Sequence, residues 1–443
     1  MFGKSLLLAT ACFLAVQFAA GDTPNKVFCY YDARSYAREG LGKMIPADID
    51  AALSFCTHLV YGHAGINAEN FKMVSLNENL DLDTGHKTFR EMTNMKKRYP
   101  GLKVLLSVGS DADFGEDKDK YLTLLESSQH RTTFINTAYS LVKSYDFDGL
   151  VLSWNFPPVK PKKIRSGFGS FWHSVKKTFG GGSSIVDEKA AEHKEQFTGF
   201  VRDLKNAFRH DGFTVALAVN PNVNSTDYFD THMLINNLDF IIMHSYDFLT
   251  PQRNPKEADY TSPIQSLHER NPQSNIEAQV TYWTSSAPSK DKILPKLILG
   301  IPTYGRSWKL TSDSAISGVP PLTSDGPGEE GPQSKIPGLL SYPEVCAKLS
   351  NPNNLKGADA ALRKVTDPSK RYGTYAFRLP DESGEHGLWV SYEDPATAGN
   401  KADYVRLKGL AGIAIIDLGF DDFRGVCSGD KFPILRAAKY RLL

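Results

Sequence analysis

The 443-residue chain carries 51 Lys and Arg against 50 Asp and Glu, and Lys4 is the only charge in the first 21 residues, so the remainder is balanced. That balance excludes a general nucleic-acid binder, and 41% hydrophobic with 23% charged residues excludes a mostly disordered or collagenous chain. The length exceeds one minimal core and fits a large barrel carrying an insertion.

In chain order, residues 1–21 read as a secretory signal. Lys4 gives a short positive start, Ser5 to Phe18 is mostly apolar, and Ala19-Ala20-Gly21 offers small residues for cleavage. The apolar run is too short for a membrane anchor, so the expectation is a secreted, extracellular chain beginning near Asp22, with no membrane span. Cys12 leaves with the signal. Cys29, Cys56, Cys346 and Cys427 remain, an even set without a CxxC pair, as an oxidising compartment favours. Of the three connectivities, proximity favours Cys29 with Cys56, which leaves Cys346 for Cys427.

Short apolar runs rich in β-formers then alternate with longer amphipathic stretches: Val27 to Tyr31, His58 to Tyr61, Val104 to Val108, Gly149 to Leu152, Thr214 to Val219, Phe240 to Met243, Leu297 to Ile301 and Ile413 to Leu418. Eight such runs, with helical patterns such as Asp187 to Arg209 between them, predict eight parallel strands with crossover helices. The fold class is α/β, a (β/α)8 TIM barrel over 22–308 and 393–443. Between the seventh and eighth runs lie a Gly- and Pro-rich stretch (Ser317 to Gly338), a helical pattern near Tyr342 to Leu349 and β-type runs at Gly373 to Arg378 and His386 to Tyr392. This is too much for a loop and predicts an inserted α+β domain at 309–392.

After the fourth run, Pro157 to Ser184 holds Lys160, Lys162, Lys163, Arg165, Lys176 and Lys177 without one acidic residue, interleaved with Phe168, Phe171, Trp172 and Phe179. Two readings stand: a docking loop for a heparin-like polyanion or an acidic receptor face, or an ordinary solvated loop whose aromatics pack on the barrel. Asn224-Ser225-Thr226 is an N-glycosylation sequon, used in a secreted chain or left bare. No spacing of histidines and carboxylates points to a metal, no Gly-rich phosphate cradle follows a strand, and no cofactor is expected.

Barrel chemistry sits at the carboxyl ends of strands. The fourth run continues Asp148-Gly149-Leu150-Val151-Leu152-Ser153-Trp154-Asn155. It resembles the fourth strand of the family 18 glycoside hydrolases, the chitinases, which reads Asp-Gly-x-Asp-x-Asp-x-Glu. Cys29-Tyr30-Tyr31, Lys103 to Gly109, Ser245-Tyr246-Asp247, Leu299 to Trp308, and Asp421-Asp422-Phe423-Arg424-Gly425 with Cys427 extend the resemblance over nearly the whole chain. It implies substrate-assisted hydrolysis, in which a glutamic acid protonates the leaving oxygen while an aspartate orients the attacking acetamido group. Here Asn155 stands at the glutamate position and Ser153 at the neighbouring aspartate position; Val151 replaces the aspartate before that, and Asp148 alone survives. An amide yields no proton at neutral pH, so the catalytic positions are lost and the chain is not expected to be an enzyme.

The resemblance also locates the sugar-stacking aromatics, and they are gone: Arg34, His63, Asp111 and Ile416 stand in their places. Tyr30, Tyr246, Asp247, Tyr304 and Arg306, with Asp148, are the polar groups left to hold an acetamido or hydroxyl in a residual ligand pocket. The alternative is structural, with Tyr30 and Tyr304 closing the mouth, Arg306 and Asp247 forming an ion pair and His63 at the edge of the core.

Secretion, the missing acid and the basic insertion together resemble the insect chitinase-like imaginal disc growth factors. That resemblance implies a secreted glycoprotein, a monomer, that promotes imaginal-disc cell proliferation and survival in cooperation with insulin through a cell-surface receptor or glycan. The alternative it leaves is an extracellular lectin or matrix protein binding chitin oligomers or glycosaminoglycan in cuticle formation and wound repair.

Overall fold

A computed structural model describes residues 26–115, 117, 119–161, 186–350 and 356–443. The signal segment and Lys162, Lys163, Arg165, Lys176 and Lys177 of the basic stretch lie outside the described residues; Lys160 is exposed at its edge. All eight apolar runs become parallel strands: β1 Lys26–Asp32, β2 His58–Ile66, β3 Lys103–Gly109, β4 Gly149–Ser153, β5 Thr214–Val219, β6 Phe240–Met243, β7 Leu297–Pro302 and β8 Gly412–Ile416. Each pairs with its sequence neighbour, and β8 pairs with β1 through Phe28 and Ala414, which closes the barrel.

Alternation along each strand divides its side chains between two cores. Phe28, Val60, Leu105, Val151, Ala216, Ile242, Ile298 and Ala414, one from each strand, are buried together inside the barrel. Their chain neighbours, such as Val27, Leu59, Leu150 and Ile413, face the surrounding helices. Because both faces are covered, the strands are continuously apolar, which is why they stand out in the sequence. In the helix layer, α1 is Ser128–Ser144 and α2 is Ala190–Arg209. α2 buries Phe197, Phe200, Val201, Leu204 and Phe208, a stripe at spacings of three and four. Each such burial stabilises the fold by about 1.5–3 kcal/mol.

The Asp421-Asp422 pair after β8 serves structure. The Asp421 carboxylate accepts the Leu435 amide at 3.0 Å in the first turn of α3 (Pro433–Leu442), where the helix dipole favours an anion. Asp422 accepts the amides of Val426 and Cys427 at 2.9 and 2.7 Å. Disulfides join Cys29 to Cys56 and Cys346 to Cys427.

Between β7 and β8 the chain builds a five-stranded antiparallel sheet in the order Leu339–Ser341, Tyr304–Leu310, Gly387–Tyr392, Thr374–Arg378 and Arg363–Thr366. Its centre is aromatic: Trp308 lies opposite Trp389, whose ring stacks on Tyr375 at 5.2 Å. The strand Tyr304–Leu310, which the sequence reading divides between the barrel to 308 and the insertion from 309, belongs to this sheet through its pairing with Gly387–Tyr392. The seventh barrel strand ends at Pro302, so the two residues after Thr303 that matter most to the site, Tyr304 and Arg306, are delivered from the second sheet.

Candidate ligand site at the barrel mouth

The inward register that fills the barrel also builds the site. Two residues past the apolar layer come Tyr30, Ser107, Ser153, His244 and Ile416; two further come Asp32, Asn155, Asn220 and Tyr246. The register of β2 against β3 shifts between Tyr61 and Ala64, and His63 lines the cavity with them. Together with Arg34, Asp111, Asp247, Tyr304 and Arg306 these groups surround a cavity of about 580 Å³, a size that suits a small polar ligand.

Beneath it, the two positions that would carry the acidic pair are locked into neutral hydrogen bonding. Ser153 is fully buried; its Oγ lies 2.9 Å from Ser107 Oγ, which lies 3.0 Å from His63 Nδ1. Asn155 Nδ2 donates to the Ser110 carbonyl at 2.9 Å, and Asn155 Oδ1 accepts from Asn220 Nδ2 at 3.3 Å. Burial lowers the pKa of His63, and lowers that of His244 to about 3, so both imidazoles are neutral near pH 7. Burial likewise raises the Tyr30, Tyr246 and Tyr304 hydroxyls, which stay protonated.

Ion pairs stand on the walls. Asp247 accepts from Arg306 Nε at 2.9 Å, Arg306 Nη2 at 2.6 Å and the Tyr304 hydroxyl at 2.8 Å. Arg34 and Asp111, which stand where stacking tryptophans are expected from the family resemblance, bond to each other at 3.0 Å. Arg34 also holds Asp32 through Nε at 2.9 Å. A polar bridge from the end of β1 to the end of β3 therefore stands where the family resemblance would place two sugar-binding rings. Arg38 stacks on Phe420 with its guanidinium 3.8 Å from the ring centre and lies 3.9 Å from Asp417. Burial raises the Asp417 carboxyl to about 6, with Arg38 acting against the shift.

The cavity thus gathers Tyr30, Tyr246, Asp247, Tyr304 and Arg306, as well as Asn155. Asp148 is not among them. It sits just before β4 at the opposite end of the barrel, where its carboxylate accepts the Val104 amide at 2.8 Å and meets Lys103 and Lys96 at 3.2 and 3.3 Å. The expected pocket role is corrected by strand geometry: the seven steps from Asp148 to Asn155 span about 20 Å of extended chain. Asn224 caps the short helix Ser225–Tyr228, with Oδ1 accepting the Thr226 amide at 3.1 Å and Nδ2 donating to Asp227 at 2.8 Å.

Sequence reasoning passed over His244, Asn220, Arg38, Arg253 and Asp417, all of which line the cavity. Counting in twos from Ile242 and Ala218 would have found the first two; nothing local marks the loop residues. Among the described residues no group of three or more His, Cys, Asp and Glu is placed to hold a metal, and no helix is long and apolar enough to cross a membrane.

Residues 26–421 match the family described as glycosyl hydrolases family 18. The chain is 57% identical to Drosophila melanogaster "Chitinase-like protein Idgf4" over 430 residues, 96% of each chain. It is 51% identical to "Imaginal disk growth factor 6" of the same species over 456 residues, the full length of both. A solved structure of human YKL-39, described as a pseudo-chitinase with retained chitooligosaccharide binding properties, superposes with a TM-score of 0.73 at 26% identity, covering 94% of this chain and 99% of that one.

Proposed function

This chain belongs to glycosyl hydrolase family 18, and from that premise we propose that it is a secreted, non-catalytic chitinase-like growth factor acting through recognition. One observation carries the reading. The position from which a glutamic acid would protonate the leaving oxygen holds Asn155, whose amide is buried and bonded on both sides by Ser110 and Asn220. Its inward neighbour Ser153 donates or accepts only within a chain of neutral groups. Losing a general acid alone costs about 10²–10⁴ in rate, and no negative charge at Ser153 is left to support an oxazolinium-like intermediate.

The names of the relatives, "Chitinase-like protein Idgf4" and "Imaginal disk growth factor 6", support a growth-promoting role. In this reading the protein stimulates imaginal-disc cells together with insulin, after export directed by residues 1–21 and oxidation of Cys29, Cys56, Cys346 and Cys427 to two disulfides. A second reading, a lectin or matrix protein binding chitin oligomers, is favoured by the open cavity and by the binding properties ascribed to YKL-39.

The decisive experiment incubates purified protein with chito-oligosaccharides. The expected result is no product above the blank, for the native chain and for Ser153→Asp with Asn155→Glu, because the stacking rings are missing as well. Product formation by the native protein that scales with its concentration through repurification overturns the non-catalytic reading. Proliferation of imaginal-disc cells with added protein and insulin separates growth factor from lectin; an unchanged cell count removes the former.

A further inference from the structure

Among the described residues four arginines face the cavity, and three are answered by carboxylates. Arg34 holds Asp32 and Asp111, Arg306 holds Asp247, and Arg38 faces Asp417. Arg253 differs. Among the described residues it makes no ion pair; its Nη2 donates to the Val159 carbonyl at 2.7 Å, and its Nε is buried without a partner. Asp247 is close enough to act on it, yet both Asp247 oxygens already accept from Arg306 and Tyr304. The basic stretch 162–185, which follows Val159 closely in sequence, contains no Asp or Glu. Arg253 is half-buried, and that partial burial lowers its pKa, with the Asp247 charge acting against the shift.

The carboxylates in the lining, Asp32, Asp111, Asp247 and Asp417, are the ones that face the other three arginines. Asn155, Asn220 and Asn222 line the cavity too, and among the described residues the Tyr30 hydroxyl and His244 Nε2 are buried without partners. With Arg34, Asp111 and Ile416 in place of stacking rings, a sugar keeps apolar contact only with the rings that remain, such as Tyr30, Tyr246 and Tyr304. Discrimination between one sugar and another then falls to the polar groups and to charge. We propose that this cavity takes an acidic sugar residue, its carboxylate or sulfate on Arg253 and its hydroxyls on the amides and floor groups. The inference rests on reading the barrel mouth as a saccharide site, and it names the sugar class that site selects.

The test is calorimetric titration of the full-length purified protein with methyl glucuronide, glucose 6-sulfate, methyl glucoside and N-acetylglucosamine, in low and high salt. At least one acidic probe is expected to bind about tenfold or more tightly than methyl glucoside, with the advantage shrinking as salt rises. Comparing the carboxylate with the sulfate identifies which anion fits. Arg253→Gln abolishes the advantage, Arg253→Lys keeps part of it, and the remote Lys72→Gln leaves it intact. Should Arg253→Gln fail to fold, weaker acidic binding in Arg253→Lys with unchanged neutral binding decides the matter. Acidic and neutral probes binding alike, or a preference that survives Arg253→Gln, overturns the acidic-sugar inference while leaving the saccharide site standing. Folded native protein that binds none of the four overturns both.

Discussion

On four strands the barrel interior has two storeys only two residues apart, and they obey different rules. Below, Phe28, Val60, Leu105, Val151 and their counterparts form a closed apolar layer that needs nothing from outside. Above, Tyr30, Ser107, Ser153 and His244 form a polar layer in which the Tyr30 hydroxyl and His244 Nε2 are buried without partners among the described residues. One layer is satisfied by packing alone; the other leaves hydrogen-bonding capacity unused. The ion pairs that stand over it, Arg34 with Asp111 and Arg306 with Asp247, extend the contrast, since the first is exposed and the second buried.

The sharpest break in that contrast comes from the buried pair. Arg306→Ala strands the Asp247 carboxylate with the Tyr304 hydroxyl as its remaining partner, and a loss of about 3–5 kcal/mol is expected in chemical denaturation. A loss under about 1 kcal/mol would show that Asp247 is more hydrated than its burial indicates.

Leu105→Ala cuts into the lower layer and is expected to cost about 2–5 kcal/mol. Tyr30→Phe, one storey up, removes only an unpartnered hydroxyl, so its expected effect is within about 1 kcal/mol of zero and on the stabilising side. Equal losses for the two variants in the same unfolding assay would dissolve the distinction between the layers.

A pH series sharpens it further. His244 is held at about 3 when folded, against an ordinary 6.5, so the unfolded chain binds more protons between those values. Stability therefore falls as pH drops below about 6.5, by up to about 1.4 kcal/mol per unit, and His244→Gln should flatten the slope between pH 6 and 4 relative to native protein. An unchanged slope would mean that His244 is charged at the lower pH without loss of packing.

The smallest effect is reserved for the exposed bridge: Arg34→Gln is expected to change stability by about 0–1 kcal/mol, because water and salt screen it. A larger loss on denaturation would make Arg34 part of the fold rather than a rim contact.

Most of the barrel was legible before any coordinates. Parallel strands covered on both faces are near-continuous apolar runs, so all eight were visible, and Asn155, singled out by the family resemblance, lines the cavity. The end of the barrel to which each residue belongs was harder. Asp148 and Asn155 share a motif, yet they occupy opposite ends, since a strand carries its residues away from each other at full extension. Arg253 and Arg38 left no trace at all, because they lie in segments without a repeating register.

Residue types and local period were enough for the family and the parallel barrel, because both are carried by short stretches of sequence. Tertiary structure alone decided which charges meet. Arg34 finds Asp111 from 77 positions away, Arg306 reaches Asp247 from a strand of the second sheet, and Arg253 makes no ion pair among the described residues. Electrostatic partnership depends on distance and burial in space, and neither is a property of the order of residues along a chain.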